Sequence, residues 1–326
     1  MIVWLGVGFA RIWFSKAGDD RGGGTQSEKE TGMTMSMSRR QALVGSLLAV
    51  SALVPIPAGA QAQDGDAEAR LAELERAHGG RLGVAVLDLA NGRRIGHRAD
   101  ERFLMLSTFK TLAAALVLAR VDRGEERLDR RIVFSESDLV VWSPVTENRV
   151  GRAGMTLAEL CEATITLSDN TAGNLLLDSF GGPAALTDYL RSLGDEVTRL
   201  DRIEPDLNEH DAPGDLRDTT TPAAMLETLH KLLFGDALSR HSRDQLNAWL
   251  IINKTGDQRL RAGFPENWLV GEKTGTNRSG TANDAGVAWP IDRGPILVAA
   301  YCEMSSISPE KRNAVLAEVG RIAARI

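Results

Sequence analysis

The apolar and polar positions of this chain predict strands near both ends and helices between them. A run of buried-strand character spans residues 82–89, and Asn91-Gly92 is a typical hairpin turn that leads into a second strand at 93–97. Three further strand patterns lie late in the chain, at 268–272, 281–289 and 295–302. This distribution predicts one antiparallel sheet that is assembled from both ends of the chain.

Helical patterns fill the middle of the chain. The run at 109–121 is rich in Ala and Leu and apolar nearly all round, which predicts a buried helix. The other helical patterns span 66–77, 157–167, 171–180, 183–193, 223–233, 242–252 and 309–326. We predict an α/β plus all-α fold, in which helices flank the antiparallel sheet and a helical domain is inserted. Residues 64–104 and 254–326 would form the α/β domain, and residues 105–253 the all-helical domain.

Residues 1–63 are interpreted as an N-terminal extension with an export signal. Arg39-Arg40 precedes an apolar run at 42–57 and small residues suited to cleavage, a pattern typical of secretory signals. The arginine pair fits the twin-arginine route and an ordinary secretory signal equally well. The apolar run is short for a membrane-spanning helix. A signal at 38–63 predicts a periplasmic or secreted protein with no stable membrane partner after signal removal.

Composition narrows the classes of function. Apolar residues make up 43% of the chain and charged residues 25%, as in ordinary soluble proteins. The net charge of −6 argues against nucleic acid as a partner. The five histidines lack metal-ligand spacing, which disfavours a zinc hydrolase. The function inferred below requires neither a metal nor an organic cofactor. The two cysteines, Cys161 and Cys302, are predicted to be buried thiols and not a disulfide, because they fall in different predicted domains.

The segment Ser107-Thr108-Phe109-Lys110 places a hydroxyl and an amine at the start of the buried helix. A spacing of three residues puts both side chains on one helix face. A serine hydroxyl needs a nearby base to become a nucleophile, and burial at a positive helix end favours a neutral lysine. In isolation the motif is better explained by a capping serine and a lysine whose amine reaches solvent. A second Ser-x-x-Lys copy, which begins at Ser308, has the residue types of a helix cap.

Two more motifs follow in order. Ser168-Asp169-Asn170 lies between two helical patterns, and alone it would be a capping turn. Lys-Thr-Gly occurs twice. The copy at 254–256 lies in a polar loop and is interpreted as a plain turn, whereas the copy at 273–275 follows an apolar strand pattern. An edge strand beside the nucleophile would place the Lys273 ammonium and the Thr274 hydroxyl toward a substrate carboxylate.

In this order and at these separations, the three motifs resemble the active site of the class A serine β-lactamases, within the superfamily that includes the penicillin-binding proteins. The resemblance covers residue 67 to the C-terminus. It implies that Ser107 is the nucleophile, that Lys110 assists it and that Ser168 relays a proton to the β-lactam nitrogen. Asn170 would bind the side-chain amide of the substrate.

The resemblance also assigns the strand motif and the residue after it. Lys273 and Thr274, with Gly275, would bind the substrate carboxylate. The backbone N–H of Thr276 would pair with that of Ser107 as an oxyanion hole, which stabilises the negative charge of the transition state.

A fourth element lies at residues 201–218, which contain Pro and Gly, show no clean periodicity and therefore predict a long loop. In the family an Arg–Asp pair pins an Ω-shaped loop, and Arg202 and Asp218 would do so here. Glu204, with Asn208, would hold and activate the water that hydrolyses the acyl-enzyme. Whether Glu204 also serves acylation stays open.

Two further residues complete the predicted site. Trp142 occupies the position of an aromatic wall at the cleft mouth in the family, with a packing role as the alternative. Ala282 stands where some members have a carboxylate-binding arginine. We predict Arg259 as its replacement, with Arg261 as the competitor.

The resemblance implies hydrolysis of the amide bond of β-lactam antibiotics by a monomer, and hence antibiotic resistance. Two alternatives share the same nucleophile: a D-alanyl-D-alanine peptidase, and a penicillin-binding sensor that acylates without turnover. The Glu204 element favours hydrolysis, because it supplies a base for release of the acyl group.

Overall fold

The computed structural model describes residues 58–151 and 153–326, with side chains from residue 65 onward. Residues 38–57 of the predicted export signal lie outside the described residues. The first helix, α1, spans Ala58–His78 and begins within the predicted cleavage segment.

The central sheet has five antiparallel strands in the order β2-β1-β9-β8-β7. Their bounds are Arg81–Asp88 for β1, Arg94–His97 for β2, Leu269–Thr276 for β7, Thr281–Trp289 for β8 and Ile296–Glu303 for β9. The sheet thus joins both ends of the chain, as predicted. Strand β7 lies at one edge, which is the position expected for the Lys-Thr-Gly motif at 273–275.

The remaining elements lie mostly between β2 and β7. The helices are Phe109–Asp122 (α2), Leu157–Thr166 (α3), Asn170–Ser179 (α4), Gly182–Ser192 (α5), Pro222–Leu233 (α6), Arg240–Ile251 (α7), Leu260–Gly263 (α8) and Pro309–Ala323 (α9). Four two-residue strands pair as β3 (Phe103–Leu104) with β6 (Thr219–Thr220) and β4 (Arg131–Ile132) with β5 (Met155–Thr156). These strands are too short to give an alternating pattern, so the sequence did not predict them.

Strand alternation builds two apolar layers, one on each face of the sheet. On β9, Leu297, Ala299 and Tyr301 face the layer that contains α2 to α7. Val298 and Ala300 face the other layer, which contains α1 and α9. Because side chains on both faces are buried, the central strands read as continuous apolar runs.

Both cysteines are free and buried. Cys161 lies in α3 within the helical layer, and Cys302 lies on β9 in the opposite layer. Burial raises the pKa of each thiol, which disfavours the reactive thiolate. The predicted pair of buried thiols is confirmed.

Because neither thiol reaches solvent, a thiol reagent such as DTNB should label essentially none of the native protein. In guanidinium chloride the same reagent should titrate both cysteines. Absence of labelling in denaturant would reveal a disulfide and would contradict the structure.

Candidate active site

Ser107 lies in a 3₁₀ turn, Leu106–Thr108, that runs directly into α2. The preceding residue, Leu106, has a φ of 49°, in the left-handed region that side chains rarely adopt. Such backbone is kept where its surroundings hold it, and these include β7. A Cβ atom on Gly275 would lie 2.9 Å from the Leu106 Cβ and 3.2 Å from the Ser107 nitrogen. Glycine at 275 therefore lets the edge strand approach the serine closely.

Lys110 is completely buried and lies in the first turn of α2. Its Nζ lies 3.0 Å from the Ser107 Oγ and 2.9 Å from the backbone carbonyl oxygen of Ser168. Loss of hydration lowers the pKa of Lys110, and the charge of Glu204 opposes that shift. The buried amine is thus within hydrogen-bond reach of the hydroxyl and is biased toward its neutral, proton-accepting form.

Ser168-Asp169-Asn170 joins α3 to α4. Ser168 has a φ of 58°, and its Oγ lies 3.4 Å from Nζ of Lys110 and 3.1 Å from Nζ of Lys273. Asp169 is a buried N-cap that accepts a hydrogen bond of 2.8 Å from the Ala172 N–H. The motif therefore places one hydroxyl between two lysines and uses its carboxylate to hold the turn.

Asn170 is nine-tenths buried and borders the same cleft. Its side-chain amide N–H donates to the Val141 carbonyl at 2.9 Å, while its Oδ1 accepts from Nζ of Lys110. These contacts fix the orientation of the amide at the cleft wall.

The alternation of β7 sends its polar side chains in two directions. Lys273 and Gly275 face the nucleophile, and Nζ of Lys273 also donates to the Thr274 carbonyl oxygen at 2.8 Å. Thr274 and Thr276 alternate to the other face of the strand, and both still line the cleft that Ser107 borders. Burial lowers the pKa of Lys273 well below its usual range, and the neighbouring charge of Lys110 lowers it further.

The segment before α8 packs against that second face of β7. Thr255 donates or accepts a hydrogen bond of 2.5 Å with the hydroxyl of Thr274, and it borders the cleft. Residues 254–256 thus form the predicted loop after a helix, and Thr255 has in addition a contact at the site that the sequence did not predict. The sequence gives little local signal for this contact, because the two hydroxyls are 19 residues apart along the chain.

Arg259 borders the cleft but is only 8% exposed. Its guanidinium donates to the Gly275 carbonyl at 2.9 Å, to the Asn283 carbonyl at 2.8 Å and to the Thr276 hydroxyl at 2.6 Å. Arg261, the competing candidate, instead lies 3.0 Å from a carboxylate oxygen of Glu272. The arginine at the cleft is thus Arg259, and its guanidinium is bound to the last two residues of β7.

Two buried acids lie behind this segment. Glu272 and Asp284 are diagonal neighbours on adjacent strands, because Asp284 pairs with Thr274. Desolvation raises the pKa of Glu272 and raises that of Asp284 to about 6, while Arg259 and Arg261 act in the opposite direction. The Asp284 carboxylate also accepts from the Leu260 N–H at 3.1 Å, which fixes the start of α8.

The segment between α5 and β6 is a long loop, as predicted. Nε of Arg202 lies 2.6 Å from the Asp218 carboxylate, which also accepts from the Asp201 N–H at 2.7 Å. Asp218 is fully buried, and breaking such a pair leaves an uncompensated charge. This pair therefore closes the base of the loop, as the family resemblance implies.

The loop carries Glu204 into the cleft. Its Oε1 lies 3.1 Å from Nζ of Lys110 and 3.4 Å from Oγ of Ser107, and its Oε2 accepts from the Asn208 side-chain amide. Asn174 binds both backbone groups of Glu204 at 2.9 Å. Sequence reasoning missed Asn174, although it lies one helical turn after Asn170 and therefore on the same face.

The cleft between these groups has a volume of about 790 Å³. Trp142 stands at its mouth, 64% exposed, and its indole N–H donates to the Leu167 carbonyl at 3.2 Å. This exposure argues against the packing alternative. The structure thus brings every predicted residue of the site to one cleft or to its immediate support.

Among residues 58–151 and 153–326, no group of three or more His, Cys, Asp or Glu side chains is arranged to hold a metal ion. Within those same residues, no helix has both the length and the apolar character needed to cross a bilayer.

Comparisons with known proteins give a consistent result. Residues 66–326 match the model of the Beta-lactamase enzyme family. The chain is 48% identical to Beta-lactamase L2 of Stenotrophomonas maltophilia over 302 residues, which cover 89% of this chain and 99% of that protein. It is 52% identical to Beta-lactamase AST-1 of Nocardia asteroides over 256 residues, 78% of this chain and 82% of that protein.

Solved structures agree. An ancestral (GNCA) class A β-lactamase shares 66% identity and superposes with a TM-score of 0.77, covering 78% of this chain and 98% of that chain. A putative class A β-lactamase, PenP from Rhodopseudomonas palustris, shares 59% identity with the same TM-score and covers 79% and 98%, respectively.

The stability of an Asp284→Asn variant, compared with that of wild type, should increase as the pH rises. The pKa of Asp284 is raised to about 6 from 3.8, so the folded wild type holds this proton more tightly than the unfolded chain does. The wild type therefore loses stability between about pH 4 and pH 6, and the amide does not. The free energy of unfolding of D284N minus that of wild type should grow by up to about 3 kcal/mol across this range.

Urea unfolding at pH 4, 5, 6 and 7 measures this difference. The matched control is Asp100→Asn, which changes an exposed acid. A D284N difference that stays constant with pH would show that the buried acid does not titrate in this range.

Proposed function

The chain belongs to the class A β-lactamase family, and from that premise we propose that it hydrolyses the amide bond of β-lactam antibiotics through an acyl-enzyme on Ser107. The observation that carries this proposal is the convergence on one hydroxyl. Nζ of Lys110 and Oε1 of Glu204 lie 3.0 Å and 3.4 Å from Oγ of Ser107. A nucleophile and two proton-accepting groups therefore share one cleft.

Acylation begins when Oγ of Ser107 attacks the lactam carbonyl carbon. We assign the role of proton acceptor to Lys110. Its amine lies closer to the Ser107 hydroxyl than the Glu204 carboxylate does, and burial lowers its pKa. The carbonyl oxygen becomes an oxyanion, and the backbone N–H groups of Ser107 and Thr276 would stabilise it. Each such donor contributes on the order of 3 kcal/mol to the transition state.

Collapse of the tetrahedral intermediate breaks the carbon–nitrogen bond of the ring. The leaving nitrogen needs a proton, and Ser168 is placed to deliver it, because its hydroxyl lies between the two buried lysines. A proton lost from Ser168 can be replaced through Lys110 or Lys273. Ring opening leaves the acyl group on Ser107 as an ester.

The substrate carboxylate would bind at the end of β7. Lys273 supplies positive charge there, Thr274 and Thr276 supply hydroxyl donors, and Arg259 holds the Thr276 hydroxyl from behind. A bound carboxylate would also compensate the buried lysine, whose pKa is lowered in its absence. Asn170 and Trp142 would contact the remainder of the substrate from the opposite side of the cleft.

Deacylation uses the long loop. Glu204 accepts a proton from water as the oxygen attacks the ester carbon, and Asn208 orients the Glu204 carboxylate. Collapse then returns the proton to Oγ of Ser107 and releases the opened antibiotic. This step separates the proposal from a D-alanyl-D-alanine peptidase or a penicillin-binding sensor, which would stay acylated, and the comparisons do not favour those alternatives.

We also propose the setting of the enzyme. The signal at 38–63 would export it to the periplasm or the medium, where it acts as a monomer on its small-molecule substrate. The division into 64–104 with 254–326, and 105–253, would place the cleft between an α/β and a helical domain. The net charge of −6 supports the absence of a nucleic-acid partner.

Lys110→Arg should slow acylation by at least about 100-fold, because arginine stays protonated and cannot accept the serine proton. Stopped-flow measurement of acylation by a chromogenic cephalosporin tests this, with circular dichroism to check folding. The matched control is Lys311→Arg in the second Ser-x-x-Lys copy, where Ser308 caps α9. Acylation of K110R within about threefold of wild type would reassign the base.

Glu204→Ala should leave acylation measurable and slow deacylation by about 100- to 10,000-fold, since general-base catalysis is lost. Intact-mass spectrometry after mixing with benzylpenicillin should show accumulation of the acyl-enzyme. Asp206→Ala removes an exposed acid from the same loop and should behave as wild type. Normal turnover by E204A would contradict the assigned role.

A further inference from the structure

A contact between the end of the sheet and the long loop has no role in the mechanism described so far. After β7, the side-chain amide N–H of Asn277 donates to the backbone carbonyl of Asn208 at 2.9 Å. Two residues later, the Ser279 hydroxyl donates to the Glu209 carboxylate at 2.6 Å. Two residues of the turn, Asn277 and Ser279, thus bind two consecutive residues of the loop, Asn208 and Glu209.

The Asn277 side chain is fixed at its other end. Its Oδ1 accepts from the Thr281 N–H at 2.9 Å, and its own backbone N–H donates to the Thr281 carbonyl at 3.2 Å. These bonds tie Asn277 to β8, so the amide that reaches the loop has little rotational freedom. The loop is therefore held against the sheet by a rigid side chain.

On the loop side, the contact falls at the group that orients the base. Asn208 offers its carbonyl to Asn277 and its side-chain amide to the Glu204 carboxylate. Asn174 holds the backbone of Glu204, but that contact does not fix its side chain. Most residues of the loop beyond Leu207 are exposed to solvent. Arg202 contacts this part of the loop at the Glu209 carbonyl and at the Asp211 carboxylate.

We propose that Asn277 is a positioning residue for deacylation, which holds Asn208 and through it the Glu204 carboxylate, with Ser279 and Glu209 as a weaker second tie. This proposal rests on the proposed function, because it concerns the deacylation step. Acylation depends on Lys110, which the clasp, defined as Asn277, Ser279 and their loop partners, does not touch. Loss of the clasp should therefore slow deacylation selectively.

Asn277→Asp distinguishes the contact with the loop from the contact that shapes the turn. The aspartate keeps an oxygen to accept from the Thr281 N–H but loses the donor to Asn208. Deacylation should slow about 3- to 10-fold, which corresponds to the loss of one hydrogen bond, while the acylation rate stays within about twofold. Asn277→Ala has no charge and also lacks the donor, so it should show the same deacylation defect.

The matched control is Asn148→Asp, which removes a comparable bond from an exposed side-chain amide to the Pro144 carbonyl. Ser279→Ala should slow deacylation by no more than about twofold, because its bond to Glu209 is exposed. A double-mutant cycle of S279A with Glu209→Gln should show that the two changes are not additive.

Hydrogen exchange gives a readout that does not depend on turnover. In N277D, the backbone amides of Glu204 and of residues 206–209 should exchange about 3- to 10-fold faster than in wild type, and those of β8 should not change. Wild-type deacylation together with unchanged exchange in N277D would overturn the proposal. Equal losses of acylation and deacylation, with faster exchange in β8, would also overturn it, because Asn277 would then only support the turn.

The failure of the proposed function has a different signature. If wild type and all variants form no acyl-enzyme and hydrolyse no β-lactam, the proposed function fails. The positioning role in deacylation fails with it, while the exchange data still report whether Asn277 holds the loop.

Discussion

The site depends on the burial of charged groups around a single hydroxyl. Lys110, Lys273 and Glu204 are each almost completely removed from water, which costs free energy unless every group has a partner. Burial lowers the pKa of both lysines and so favours their neutral forms. The Glu204 carboxylate lies 3.1 Å from the Lys110 amine and opposes this shift there. A hydroxyl in these surroundings has proton acceptors on either side, which is the requirement for an activated serine.

The fold satisfies this constraint with elements that are far apart in the sequence. The 3₁₀ turn before α2 supplies Ser107, the first turn of α2 supplies Lys110, and the edge strand β7 brings Lys273 to the same point. Thr274 and Thr276 alternate with Lys273 along β7 and line the same cleft. Thr255 and Arg259 hold their hydroxyls in place. Rigid secondary structure thus carries the acylation groups, whereas the deacylation base lies on a loop that must be held by side-chain contacts.

This difference explains what could be predicted from the sequence. Ser107, Lys110 and Lys273 lie in short motifs beside strong helix and strand patterns, so their placement followed from local signals and from the family resemblance. Asn174 was within reach of the same reasoning, because helical spacing relates it to Asn170. Thr255 and Asn277 were not, since their partners lie in other segments and only the folded chain brings the pairs together.

The most direct test of the account is a time course of intact protein mass after rapid mixing with excess benzylpenicillin. The arrangement of Ser107, Lys110 and Glu204 predicts a transient adduct of the antibiotic's mass, and peptic digestion of a quenched sample should place it on the peptide that contains Ser107. That adduct should disappear as the substrate is consumed, and the original protein mass should return. A stable adduct that outlasts the substrate, or hydrolysis with no adduct at any time, would contradict a self-releasing serine hydrolase.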